Sequence, residues 1–245
     1  MSDEIKKPEE VSAKDKELLD FFAIASHKMR SPLSGIKMMI ETIKRGSLGE
    51  VPEKQMEYLS DIHKINANMI GLSLDIFEAL RLKTTTVNAS KEKIPLSEFL
   101  KNIFERLEPA AKKAGVMLRN EANISESLEI ETDKKMLGVI LENLLSNAIN
   151  YSKAGQEVFF GVKDDSGRLI FSIKDSGIGI PKDEKEKILG PCYRASNAKE
   201  FKQLGTGRGL YISRMLAKKL GGEVSCESEE DKGSVFYLNI QKSGV

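Results

Sequence analysis

The sequence predicts an α+β protein in two parts. An N-terminal helical hairpin forms a four-helix bundle in a dimer, and an α/β two-layer sandwich follows. Three observations predict it. Apolar residues recur at alternating spacings of three and four over residues 14–45 and again over 53–83, which is the seam of a coiled coil or bundle. Beyond Thr84-Thr-Thr-Val87 the pattern changes to short strand-like runs. Strand and helix signals are mixed there without strict alternation, which suits a layered sandwich better than a doubly wound sheet. Residues 1–13 read as a polar, flexible start, 14–84 as the hairpin and 85–245 as the second domain.

In the first helix the seam runs Leu19, Phe22, Ser26, Met29, Leu33, Ile36, Ile40 and Ile43, with Ser26 its one polar member. Pro32 lies inside this pattern, where a proline costs about 3 kcal/mol. Gly46 to Pro52 is a turn by composition. The second helix carries one track at Tyr58, Ile62, Ile65, Met69, Leu72, Ile76 and Ala79. A parallel track runs Leu59, Ile62, Asn66, Met69, Ser73, Ile76 and Leu80. So wide a stripe cannot be buried by one hairpin on itself, hence two chains. In the second domain Pro95 and Ser97 open a helix that Gly115 stops. Helices also fit 133–151 and 208–220. Strands fit 116–121, 128–131, 156–163, 168–175, 222–228 and 234–241, with Asp164 to Gly167 as a hairpin turn. Residues 176–206, rich in glycine, lysine and small polar residues, are long for a loop and read as a lid.

The bulk numbers exclude several classes. The 245 residues are 40% hydrophobic and 31% charged, with a formal net charge of +1. That balance makes no electrostatic case for nucleic acid or an anionic membrane. No run approaches the roughly 20 apolar residues of a membrane span. Cys192 and Cys226 form no metal or redox pattern.

Three stretches carry chemistry, and each has a duller alternative. Asp175-Ser-Gly-Ile-Gly-Ile-Pro181 leaves a strand; its glycines allow a flat ligand close to the backbone and its aspartate can accept from an exocyclic amine. It is equally an ordinary strand-to-loop turn. Gly205-Thr-Gly-Arg-Gly-Leu210 opens a helix, a place where backbone N–H groups bind anions. It is equally a flexible hinge, and it matches neither a dinucleotide fingerprint nor a Walker A loop. Asn143 and Asn147 share a helix face, away from Leu144, Leu145 and Ala148. They offer oxygens to Mg²⁺ and amides to phosphate, or form a solvated polar face.

Taken together and in this order, these stretches resemble the cytoplasmic core of a sensor histidine kinase over residues 14–241. Ser26-His27 to Leu33 resembles the H box, Asn143 to Ser152 the N box and Asp175 to Pro181 the first glycine box. Pro191-Cys-Tyr-Arg194 resembles a degraded F box and Gly205 to Leu210 the second glycine box. The second half alone also resembles the Bergerat-type ATPases, which hydrolyse ATP to drive conformational change; the hairpin with His27 decides against them. The resemblance implies a Bergerat-type ATP-binding domain with ATP and Mg²⁺ as ligands. It implies autophosphorylation of His27 and transfer to an aspartate of a response-regulator receiver domain. It also implies a homodimer through residues 14–84, and a cytoplasmic location, whether as a whole protein or as part of a membrane-anchored sensor. Asp175 would hold the adenine amine, with Gly177 and Gly179 letting the base lie on the backbone. Asn143 would coordinate Mg²⁺, and Asn147 and Tyr151 would line the site. Gly205, Gly207 and Gly209 would cradle the triphosphate, with Thr206 and Arg208 in the same loop, and Arg194 would offer charge to the γ-phosphoryl.

His27 lies one residue off the apolar seam, where it can face solvent, and a neutral imidazole is a competent nucleophile near pH 7. Pro32 removes the helical donor to the Lys28 carbonyl, a weak point at which the helix can bend. His63, between the apolar tracks, reads as structural or surface. Four features depart from the family pattern. Lys28 stands where an acid usually follows the histidine, predicting slow autophosphorylation; with Ser31 it predicts weak phosphatase activity. Asn150 replaces a lysine and Arg208 a leucine, so a cation lost at one phosphate-proximal position is regained at another. Leu189 and Cys192 replace F-box phenylalanines, predicting a loosely packed lid. The alternative function is a degenerate kinase serving as a nucleotide-binding scaffold.

Overall fold

The computed structural model describes residues 13–84, 89–165, 167–191, 193–201 and 207–242; the side chains of residues 13–23, 26, 27, 68 and 72–84 also lie outside what it describes. Cys192, Gly205, Thr206 and the side chains of Ser26 and His27 therefore fall outside the described residues. The chain divides into two compact units at residues 87/88.

The first unit is a hairpin of α1 (Ala13–Lys44) and α2 (Glu53–Thr84). Pro32 sits inside α1, which continues past it, and His27 lies on the helical backbone. Leu33 and Ile40 are buried against α2, whereas Met29 and Ile36 of the same seam are exposed at 45% and 42%. On α2, Tyr58, Ile62, Ile65 and Met69 are exposed as well. One hairpin thus covers only part of its own stripe. Among the described residues, polar crossings join the helices: Lys44 Nζ donates to Ser60 Oγ at 3.0 Å, His63 Nε2 lies 3.5 Å from Glu41, and Asn66 Nδ2 donates to the Leu33 carbonyl at 2.8 Å.

In the second unit β1 (Glu92–Pro95) precedes α3 (Leu96–Ala114), followed by β2 (Met117–Asn120), β3 (Glu129–Thr132), α4 (Lys134–Tyr151), β4 (Glu157–Asp165) and β5 (Arg168–Asp175). Two 3₁₀ turns, Lys182–Glu184 and Lys187–Leu189, lead to α5 (Ser196–Phe201), α6 (Gly209–Lys219), β6 (Glu223–Glu229) and β7 (Gly233–Gln241). Five strands form one sheet in the order β2-β4-β5-β7-β6, with β2 and β4 parallel and the other pairs antiparallel. β1 and β3 form a separate antiparallel pair.

The sheet alternates because every second residue faces the helices. On the inner face Phe160, Leu169, Phe171, Ile173 and Leu238 are fully buried. Leu100 and Ile103 of α3, Leu137, Ile140, Leu141 and Leu144 of α4, and Ala217 of α6 form the opposing layer. Phe104 meets Phe160 edge to face, with ring centroids 5.4 Å apart. This is the expected two-layer sandwich. β1, paired with the expected strand β3, is the addition: Glu92-Lys-Ile-Pro95 holds a single buried residue, Ile94, and so shows no period of its own. Among the described residues no helix is long and apolar enough to cross a membrane.

Candidate functional site

One end of α4 faces a cavity of about 250 Å³. The sequence places the asparagines there because the leucines go elsewhere: Leu144, Leu145 and Ala148 enter the core, and Asn143, Asn147, Asn150 and Tyr151 line the cavity. Asp133 starts this helix, its Oδ1 accepting from the Met136 N–H at 2.9 Å, which satisfies one of the open N–H groups of the first turn. Asp175 closes the far side at the end of β5, beside Ser234 and Phe236 of β7. Gly207, Arg208, Gly209 and Leu210 at the start of α6 form the opposite wall.

Asp175 is 5% exposed. Its Oδ1 accepts from the N–H of Gly177 at 2.9 Å and of Ser234 at 3.2 Å. Burial pushes its carboxyl up to about 6, against the pull of those two donors. Both bonds land on one oxygen, so the second is the acceptor available to a ligand. Ser228 donates to the Gly233 carbonyl at 2.8 Å and lies 2.9 Å from Ser234 Oγ. The Ser228 proton being used there, Ser234 is the donor within the pair, which leaves its oxygen an acceptor at the cavity wall.

The glycines after Asp175 have a reason that needs no ligand. A Cβ on Gly177 would stand 2.2 Å from the Tyr151 carbonyl oxygen, and one on Gly179 1.9 Å from that of Glu229. This close approach lets Ile178 N–H donate to Tyr151 and lets the Ile178 carbonyl accept from Asp231, at 3.2 and 2.9 Å. Gly179 lines the cavity; Gly177 stands behind it, next to Asp175.

Over the described residues of the lid the expectation of loose packing is corrected. Ile188, Ala195 and Ala198 are buried and line the cavity, so Ile188 supplies apolar wall beside Leu189, which stands in place of a phenylalanine. Glu184 accepts from both the N–H and the Oγ of Ser196, at 2.9 and 2.8 Å, which holds its carboxyl below the usual range. Asn197 Nδ2 donates to the carbonyls of Ile178 and Gly179 at 3.3 and 3.1 Å. These bonds tie the two halves of the lid together. Arg194 lines the cavity with Nη2 donating to the Ala198 carbonyl at 2.9 Å.

Asn143 spans the gap to α6: its Nδ2 lies 3.4 Å from both the Gly209 carbonyl and Ser213 Oγ. Asn150 Nδ2 donates to Ser146 Oγ at 3.2 Å. Among the described lining residues the charges are Asp175, Arg194 and Arg208. The acid sits at the β5 end; Arg208 sits at the helix N-terminus. Nine of the expected site residues thus border one cavity: Asn143, Asn147, Tyr151, Asp175, Gly179, Arg194, Gly207, Arg208 and Gly209. Ile178, Ile180, Ile188, Ser234 and Phe236 also border it and were not expected. Cys226 is a half-buried thiol pushed up to about 12, chiefly by burial, and so has little thiolate character at neutral pH.

Two family models match the chain: "His Kinase A (phospho-acceptor) domain" over residues 17–83 and "Histidine kinase-, DNA gyrase B-, and HSP90-like ATPase" over residues 132–244. The chain is 31% identical over 230 residues to the aerobic respiration control sensor protein ArcB of Escherichia coli K12, covering 92% of this chain and 29% of ArcB. It is 30% identical over 228 residues to the sensor histidine kinase WalK of Bacillus subtilis 168, covering 92% of this chain and 37% of WalK. Full-length ShkA, solved with AMPPNP, superimposes with a TM-score of 0.67 at 22% identity, over 92% of this chain and 47% of ShkA, a likeness of fold. The nucleotide-free catalytic domain of histidine kinase ThkA gives 0.55 at 28% identity, over 62% of this chain and 96% of that domain. The chain belongs to the sensor histidine kinases, and it spans about a third of the length of the curated relatives it matches.

Proposed function

We propose that this chain binds Mg²⁺–ATP in the cavity, transfers the γ-phosphoryl group to His27 and passes it on to an aspartate of a response-regulator receiver domain. The observation that carries the reading is the polarity of one cavity: a buried carboxylate with a spare acceptor oxygen at one end, and an arginine at an open helix N-terminus at the other. The adenine amine donates to Asp175. Ile178, Ile180 and Phe236 supply apolar surface for the base. The phosphates lie toward the α6 N-terminus, where backbone N–H groups and the helix dipole favour anions, and Arg208 and Arg194 add charge.

Mg²⁺ fits a site of one amide oxygen plus phosphate oxygens and water. Asn143 would supply that oxygen, its amide nitrogen being directed to α6. A bound Mg²⁺ would neutralise phosphate charge. An imidazole nitrogen of His27 attacks the γ-phosphorus; the bond to the bridging oxygen breaks, ADP leaves and the imidazole loses its remaining proton. Positioning and charge neutralisation dominate this class of transfer. Lys28 cannot take up that proton, so the step is slow. The uncovered stripe on α1 and α2 is closed by a second copy, giving a homodimer, and the chain works in the cytoplasm.

The test is incubation with γ-labelled ATP followed by acid. Label that is acid-labile in wild type and missing from His27→Ala supports the reading, because phosphohistidine does not survive acid. Release of inorganic phosphate with no labelled protein would instead make the chain an ATPase. Nucleotide binding with neither label nor hydrolysis would make it a scaffold.

A further inference from the structure

The apolar track Leu59, Ile62, Asn66, Met69 contains one amide that the phosphoryl transfer does not use. Asn66 is 3% exposed. Its Nδ2 donates across the hairpin to the Leu33 carbonyl at 2.8 Å, while its Oδ1 is buried with no hydrogen-bond partner among the described residues. The other two crossings, Glu41 with His63 and Lys44 with Ser60, lie one and two turns away on α2 and are more exposed. Leu33 directly follows Pro32, so the fixed point adjoins the place where α1 is weakest.

A half-satisfied buried asparagine is a poor choice for stability, since a leucine would fill the same space without an orphaned acceptor. What such a residue does well is select register, because any other alignment strands its donor too. A one-turn slip of α1 along α2 would carry the Leu33 carbonyl away from Nδ2. The segment holding His27 lies six residues N-terminal to Leu33, about 9 Å along the helix at 1.5 Å per residue. It moves with whatever register is chosen.

We propose that Asn66 is a positioning residue: its bond to the Leu33 carbonyl fixes the axial register of α1 against α2 beside Pro32, and so fixes where the His27 segment is presented for phosphoryl transfer. The proposal rests on His27 being the phosphoacceptor.

The experiment measures kcat and KM for acid-labile labelling, with the thermal midpoint, in the full chain carrying Asn66→Leu or Asn66→Asp. Asn66→Leu is expected to raise the midpoint by a few degrees. It should also lower kcat by about tenfold, because the register is no longer selected. KM for ATP stays unchanged, since the nucleotide cavity belongs to the other unit. Asn66→Asp keeps the volume and loses the donor; it is expected to lower both midpoint and kcat, again at unchanged KM. A more stable Asn66→Leu with reduced kcat cannot come from a merely structural role. Labelling of either variant at the wild-type rate overturns the proposal, as does an Asn66→Leu that loses midpoint and kcat together. A wild type that takes no label overturns the parent reading, and this one with it.

Discussion

Asp175 is buried, and burial pushes its carboxyl up to about 6 from the usual 3.8. Between those two values the folded chain keeps a proton that the unfolded chain has released, so its stabilising effect is complete below about pH 4 and is lost as pH rises through about 6. The difference amounts to about 3 kcal/mol at 1.36 kcal/mol per pH unit. The ligand-free second unit should therefore melt at lower temperature at pH 7.5 than at pH 4.5 by this contribution, and Asp175→Asn should remove that part of the slope in a calorimetric pH series. Nucleotide affinity runs the other way, rising with pH through about 6 as the acceptor becomes charged. At the phosphate end the expected reader is Arg208. Arg208→Leu should weaken ATP by about tenfold, the order of one charge-assisted contact, and leave adenosine unchanged in titration calorimetry. Equal weakening of both ligands would mean that the residue shapes the wall and not the charge. Beside the proposed phosphoacceptor, Lys28→Glu would place a proton acceptor next to His27 in sequence. It should raise the initial labelling rate by at least about tenfold, the lower range of general-base contributions; an unchanged or lower rate would remove Lys28 as the cause of a slow step.

At the level of elements, α4 was legible because its pattern is local. The asparagines and leucines separate at helical spacing, and the structure sends the first to the cavity and the second to the core. The strand that ends in Asp175 was legible for the same reason, alternating over five residues before its glycines. Ser234 and Phe236 were not. They reach the cavity only because β7 pairs with β5 in the register that sets Ser234 opposite Asp175, and no spacing within β7 announces that. The lid misled in another way. Counting phenylalanines predicted loose packing, whereas Ile188, Ala195 and Ala198 fill the wall and Glu184 and Asn197 tie its halves. The spacing of the glycines in the Asp175 loop carries only part of their reason. Their first necessity is the carbonyls of Tyr151 and Glu229, which leave no room for a Cβ.

The whole molecule joins a hairpin that cannot cover its own apolar face to a nucleotide-type sandwich that needs no partner to close its core. The periodicity changes after residue 84, three residues before the two units divide, and the excess of exposed Met29, Ile36, Ile65 and Met69 follows from the wide stripe in the sequence. Ile65→Lys places a charge in that stripe. It should shift the chain from dimer to monomer in analytical ultracentrifugation while leaving nucleotide affinity unaltered; a dimer that persists would place the interface elsewhere. The central claim is that phosphate reaches His27 only by way of the cavity bounded by α4, Asp175 and α6. The most direct measurement is the initial rate of acid-labile labelling in wild type and Asp175→Asn at low, equal concentrations of labelled Mg²⁺–ATP, the histidine being intact in both. The account predicts label on wild type and a loss of about a hundredfold in the variant, as expected when a site's buried hydrogen-bonding group no longer matches its ligand. Equal labelling of the two would contradict it.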